Sequence, residues 1–397
     1  MKSLKTVIAV MLIASYAWGQ SIADIYKSGE MVLMPDKSYA DGVNWKSVFP
    51  DFDLVTNGNP IGRYKSMAVA PDGSVFVGNY SSYSIQKFDS NGKPLFSFGK
   101  RGSGDADFKQ RPTLGGVVGG KYVFTHEHNG NIKLFTLDGK YAKTIVLDYM
   151  PTKAIALNNN NIAVVGHVAM AKINVRYVIT IIDPETGEKN IIKKFDDLWE
   201  QSGLVINKDG YMWSYTPFGS SKSLIARALP DGNLAVGVTS SDQIEIYSPE
   251  GKLVRSFKLD YSALPYPEEM KLQFISRFEK MVDEGKLTKL EIEPIYKEGF
   301  FQKRLPFYYN FLVDTDGNIL VFRFVDEDVD HKFRVYTFDG TGKNIGDVVL
   351  KTNDFKLNLQ YRFDELVFHK NKVIALVQPT GNTKEPYHLV RFDVKGK

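Results

Sequence analysis

The sequence predicts an all-β fold, a six-bladed β-propeller with seven blades as the alternative. Three observations lead there: short apolar runs parted by Pro-Asp-Gly and Asn-Gly turns, recurrence of that unit at a period near 40 residues, and many Tyr, Phe and Gly residues with little helical patterning.

The clearest unit is Met67–Phe98. It divides into Met67–Ala70, Val75–Val77, Ile85–Phe88 and Leu95–Phe98, joined by Pro71-Asp72-Gly73, a polar loop and Ser90-Asn91-Gly92. Gly and Asn tolerate positive φ, which lets a tight turn follow the twist of its flanking strands. Four antiparallel strands in about 32 residues make one blade. One such sheet cannot bury both faces, so it needs neighbours. Gly116–Leu147, Ala154–Phe195, Leu224–Leu259 and Tyr308–Leu350 repeat the pattern, and Glu365–Val394 offers three strands. Trp45–Val55 reads as a solitary strand and is expected to complete that last blade, removing two exposed sheet edges. Leu204–Tyr215 is left over and reads as an inserted hairpin.

One stretch breaks the β pattern. From Pro267 to Gly285, Met270, Phe274, Phe278, Met281 and Val282 recur at helical spacing among Glu and Lys, so an amphipathic helix is expected within an insertion over residues 265–300.

The N-terminus has the layout of a secretory signal: Lys2 and Lys5, an apolar stretch Val7–Ala14, then small residues at Ala17 and Gly19. Residues 1–19 are therefore expected to be a signal peptide, 20–42 a linker and 43–397 the propeller, in a periplasmic or secreted protein. The apolar stretch is too short to span a bilayer, and no later one approaches the roughly 20 residues required. Cysteine is absent, which excludes disulfides, thiolate chemistry and a lipid-modified cysteine. With 50 basic and 46 acidic residues and no basic run, nucleic-acid binding has no support.

The segment Met67–Phe108, MAVAPDGSVFVGNYSSYSIQKFDSNGKPLFSFGKRGSGDADF, resembles an NHL-type propeller repeat down to its Phe-Gly and Gly-rich link. The rest of the chain is similar to bacterial six-bladed propellers of that superfamily. The resemblance implies the architecture; such propellers include binding modules, lyases, lactonases and dehydrogenases, so it does not choose a function. Asn79 stands where the repeat usually has an acidic residue, and that feature is not carried over.

If each blade runs outward from the axis, the starts of the first strands and the ends of the second share one face, crossed by the links between blades. Asn79, His126, His167 and Arg323 then lie at second-strand ends. Arg63, Tyr64, Arg111, Lys153, Tyr308, Tyr309 and Arg362 enter the first strands. Such a funnel suits a small anionic, glycan or peptide ligand, because guanidinium groups pair with carboxylate or phosphate and aromatic faces stack on rings. Taken singly, these residues also suit a solvated rim or packing between blades.

His126-Glu127-His128 is the most metal-like feature. In the alternative reading, a metal-dependent lyase or hydrolase, His126 and His167 would hold a divalent cation with a third ligand; otherwise no cofactor is expected. A third possibility is a protein partner docking on Phe274 and Phe278, unless these simply cover the propeller. The acidic run Asp326-Glu327-Asp328 with Asp330 and His331 lacks the ligand spacing of a calcium loop. The link with Gly102, Gly104, Asp105 and Asp107 reads as a flexible connection rather than a phosphate loop, since no helix follows it. No Gly-x-Ser-x-Gly elbow occurs.

Overall fold

The structure is a computed structural model and describes residues 21–49, 66–79, 82–169, 175–195, 204–208, 211–215, 217, 222–323, 332–357, 366–380 and 386–397. The chain is predominantly β. A short helix α1 (Ile22–Lys27) leads into strand β1 (Glu30–Pro35), and α2 (Trp45–Val48) follows. The first four-stranded sheet is β2 (Ser66–Val69), β3 (Val75–Asn79), β4 (Ser84–Phe88) and β5 (Pro94–Phe98). The second is β6 (Thr113–Val118), β7 (Tyr122–His126), β8 (Asn131–Thr136) and β9 (Tyr141–Val146). The third is β10 (Met150–Ala156), β11 (Ile162–Ala169), β12 (Val175–Ile182) and β13 (Lys189–Phe195). After the hairpin β14 (Leu204–Lys208) and β15 (Tyr211–Tyr215) comes the fourth, β16 (Leu224–Ala228), β17 (Leu234–Val238), β18 (Gln243–Tyr247) and β19 (Leu253–Lys258).

Each of these sheets is an antiparallel meander, the arrangement of a propeller-type fold. The turns act as the sequence requires. Ala70 O accepts from Gly73 N at 2.9 Å, Asp72 Oδ1 accepts from Ser74 N at 2.9 Å, and Gly73 has φ +90°. Pro71-Asp72-Gly73 is thus a turn closed by a left-handed glycine, and Pro230-Asp231-Gly232 repeats it with Gly232 at φ +86°.

The remaining strands form one larger sheet. β20 (Asn310–Val313), β21 (Ile319–Phe322), β22 (Lys332–Phe338) and β23 (Asn344–Lys351) are a fifth meander. β24 (Phe355–Lys356), β25 (Leu366–His369), β26 (Lys372–Pro379) and β27 (His388–Gly396) close the chain. β1 lies between the two groups, antiparallel to β27 (Leu33 opposite Val394) and parallel to β23 (Met31 opposite Leu350). This corrects two expectations. Residues 20–42 are not only a linker, because they supply the strand that completes the last group. Trp45–Val55 is not that strand: its first four residues are helical, and 50–55 lie outside the described residues. In that place Met31 and Leu33, alternating with more exposed neighbours, are fully buried in the core that joins the two groups.

Neighbouring sheets share apolar layers. In β3, Phe76 joins the core against β7 and β8, whereas Val75 and Val77 join the core against β26 and β27. In β17, Leu234 and Val236 face the third sheet while Ala235 faces the fifth meander; in β21, Ile319 and Val321 face back toward the fourth sheet while Leu320 and Phe322 face forward. The runs VFV, LAV and ILVF carry no polar alternation because both faces of each strand are covered. The insertion forms as expected: α3 (Glu268–Asp283) and α4 (Lys289–Ile292), capped by Thr288, pack against the β14–β15 hairpin around Leu204, Ile206, Phe278, Ile292 and Ile295.

Candidate functional site

Strand pairing brings first-strand starts and second-strand ends together: Ser66 lies opposite Gly78, Thr113 opposite His126, Met150 opposite His167, and Asn310 opposite Phe322. The links 99–112, 147–149 and 259–309 leave from the same ends.

The second and third sheets assemble a group of nitrogens here. His126, last in β7, is 2% exposed, and its Nδ1 has no hydrogen-bond partner. Burial drives its pKa down to about 3, helped by electrostatic interaction with His128 and Lys153. His167 in β11 is half-buried, with its ring 6.1 Å from that of Tyr177 and its Nδ1 likewise unpartnered. Its pKa is also lowered, by burial and then by His128. The exposed His128 acts electrostatically on both imidazoles and half-buried Lys153 acts on His126, while exposed Arg111 stands two residues before Thr113.

Glu127 does not add a ligand to this group. Its buried carboxylate accepts from Gln110 N at 2.6 Å and from Asn131 Nδ2 at 3.5 Å. Buried Lys133 donates to the Asp105 carbonyl and feels the Glu127 charge, while its own pKa is lowered by burial. Together they pin the link 100–111 to the second sheet. That link is not a loose connection: Phe108 is fully buried, its N–H donates to Lys100 O at 2.9 Å, and Asp107 Oδ2 accepts from Gly104 N at 3.1 Å. Among the described residues, no group of three or more His, Cys, Asp or Glu side chains could hold a metal ion. The donor set that the metal-dependent reading requires is not assembled there, and no step through a metal follows.

The other expected residues are spread over different surroundings. Asn79 Oδ1 accepts from Ser82 N at 3.2 Å, so its side chain is used in capping the loop. Tyr308 is fully buried against Gly237 and Phe311, a core position and not a rim one; burial holds its hydroxyl pKa well above the usual value. Tyr309 packs its ring 6.1 Å from Phe322. Arg323 lies 4.5 Å from the Tyr261 ring and donates to Tyr336 Oη at 3.0 Å and to Ser262 O at 2.9 Å, which ties the segment leading into the insertion to the fifth meander. Arg63, Tyr64 and Arg362, and the acidic run 326–331, lie outside the described residues. Arg227 and Asn310, joined by a 2.8 Å hydrogen bond on facing first strands, were not singled out from sequence. Only the unusual arginine within the apolar strand Leu224–Ala228 could have signalled them.

No protein-family model matches the chain, and none of the curated proteins matches it. Among solved structures, it is similar to a candidate exported protein of Bacteroides fragilis (TM-score 0.49, 11% identity, 93% of this chain and 95% of that one). It is also similar to a member of the DUF4221 family from Bacteroides vulgatus (0.46, 10%, 92% and 96%). A third is the calcium-binding protein regucalcin of Agrobacterium tumefaciens (0.42, 10%, 84% and 92%). With TM-scores below 0.5, these likenesses carry no argument about function. No helix among the described residues is long and apolar enough to cross a membrane.

Proposed function

We propose that this chain is an exported six-bladed propeller, NHL-like in its repeat, that binds a small anionic, glycan or peptide ligand on the face crossed by the links. Six apolar layers support the count. They join the first sheet to the second, the second to the third, the third to the fourth, the fourth to β20–β23, that group to β25–β27 with β1, and the last back to the first. The β14–β15 hairpin shares its core with the insertion instead, which speaks against a seventh blade. Export rests on the signal-like layout of residues 1–19.

The observation that carries the ligand reading is His126 Nδ1, buried and unpartnered within the electrostatic reach of His128 and Lys153. A buried polar atom normally has a partner, so one left open at the end of a strand favours a ligand group there. Because burial keeps His126 neutral, that imidazole offers one donor and one acceptor, while Lys153 and Arg111 bring positive charge. The combination suits directional recognition of an anion-bearing ligand better than general-base chemistry, for which a pKa near 3 is too low at neutral pH.

The test is calorimetric titration of the mature protein with sugar acids, sugar phosphates, neutral glycans and short acidic peptides. A Lys153→Ala/His167→Ala variant that melts like the parent should bind the best ligand at least about tenfold more weakly, one charged contact's worth. Equal affinity in parent and variant for every ligand found would place the site elsewhere.

A further inference from the structure

A second set of polar atoms lies on the first strands of the fourth sheet and the fifth meander, apart from the histidines. Asn310 opens β20 and is 1% exposed. Its Oδ1 accepts from Arg227 Nη2 at 2.8 Å. A guanidinium carries only donors, so the atom that faces it must be the amide oxygen, and the other end of Asn310 is the amino group. That Nδ2 is buried and has no acceptor. Arg227 reaches it from β16. It stands two residues after Ile225, which packs into the core shared with Phe311, and the Phe311 ring lies 5.9 Å from its Cζ. Its Nη1 also donates to Ala226 O at 2.9 Å.

A buried amide donor and a cation therefore meet between two first strands, and the amide donor lacks an acceptor. An amide flip does not relieve it, because turning the amide would set its amino group against the guanidinium.

We propose that Arg227 and Asn310 form an anion-anchoring site between β16 and β20, taking a small singly charged acceptor, either a carboxylate group or a halide. The site uses different sheets from the histidine group and stands or falls apart from it. The guanidinium supplies charge and fixes the amide, and Nδ2 supplies the directed hydrogen bond.

Bromide and acetate, each titrated at constant ionic strength balanced with sulfate, distinguish the two sources. The parent protein should show a saturable rise in melting temperature with one or both ions. Asn310→Asp has the same shape, keeps an oxygen for Arg227 and removes the open donor; its apparent affinity should fall at least tenfold. Crystals of the parent grown in bromide should show an anomalous peak within hydrogen-bonding distance of Asn310 Nδ2 if a halide is accepted; acetate density there identifies a carboxylate site. The proposal is overturned if neither ion raises the melting temperature, if Asn310→Asp responds like the parent, or if the crystals show Nδ2 bonded to water or protein alone. The crystallographic result needs no variant, so it decides the matter even if Asn310→Asp does not fold.

Discussion

At the residue scale, the side chains that look alike in the sequence do different work. Arg323, which the sequence places at a strand end as a ligand candidate, is committed to Tyr261, Tyr336 and Ser262. Arg323→Ala should lower stability by about 1–3 kcal/mol in urea denaturation, and Arg323→Lys should recover little of it, because an ammonium cannot stack and fork as a guanidinium does. His126 makes a pH-dependent contribution of definite sign. Its folded pKa, about 3, lies below the unfolded value near 6.5, so the unfolded chain binds an extra proton between them. The stabilisation is complete above pH 6.5 and is lost as pH falls toward 3, at about 1.4 kcal/mol per pH unit for this one group. Replacing it by Gln should reduce the acid-side slope by about one proton, measurable by denaturation at several pH values.

At the element scale, the close approach of loop to strand sets the tolerances. A Cβ at Gly237 would lie 2.2 Å from Tyr308 Oη but 3.2 Å from its ring carbon Cζ. Gly237→Ala should therefore cost about 1–3 kcal/mol, and adding Tyr308→Phe should restore part of it, a non-additivity that a double-mutant cycle reads directly. The N-terminal segment is held in a comparable way. Buried Tyr26 donates to Asp314 Oδ2 at 2.7 Å, where Asn318 Nδ2 also donates at 2.8 Å, and Asp36 pairs with Arg391 at 2.7 Å just beyond β1. Tyr26→Phe leaves the buried Asp314 carboxylate one donor short and should cost about 1–3 kcal/mol by thermal or urea unfolding. The closing strand was legible in kind and not in place. Glu30–Pro35 and Trp45–Val55 are both short and apolar; what separates them is a partner on each side, β23 and β27, more than 300 residues away in the chain.

At the scale of the whole molecule, the strands that feed two cores make the sheets interdependent, whereas the α3 and hairpin core touches few of them. Hydrogen exchange should find α3 opening locally while β3, β17 and β26 exchange only with global unfolding; equal protection of α3 and β17 would contradict the separate core. Face-to-face packing also explains why the sheets lie next to each other in sequence order, each link running from one outer strand to the next first strand, with the hairpin and the helical insertion carried on the two long ones.

The sequence by itself determined most of the blade strands, their turns and the helical insertion, though not β1. Those follow from local chemistry: glycine at positive φ, proline at a turn, and apolar periodicity of two or about 3.6 residues. It also indicated that within each blade the start of the first strand meets the end of the second, since that depends only on alternation of direction. The tertiary structure alone decided which strand fills the gap between β23 and β27, that Tyr308 is core, that Arg323 is a clamp, and that Arg227 meets Asn310 across two sheets. These depend on side chains brought together from distant segments, and burial, not residue type, sets whether a histidine, tyrosine or arginine there packs, pairs or stays open to a ligand.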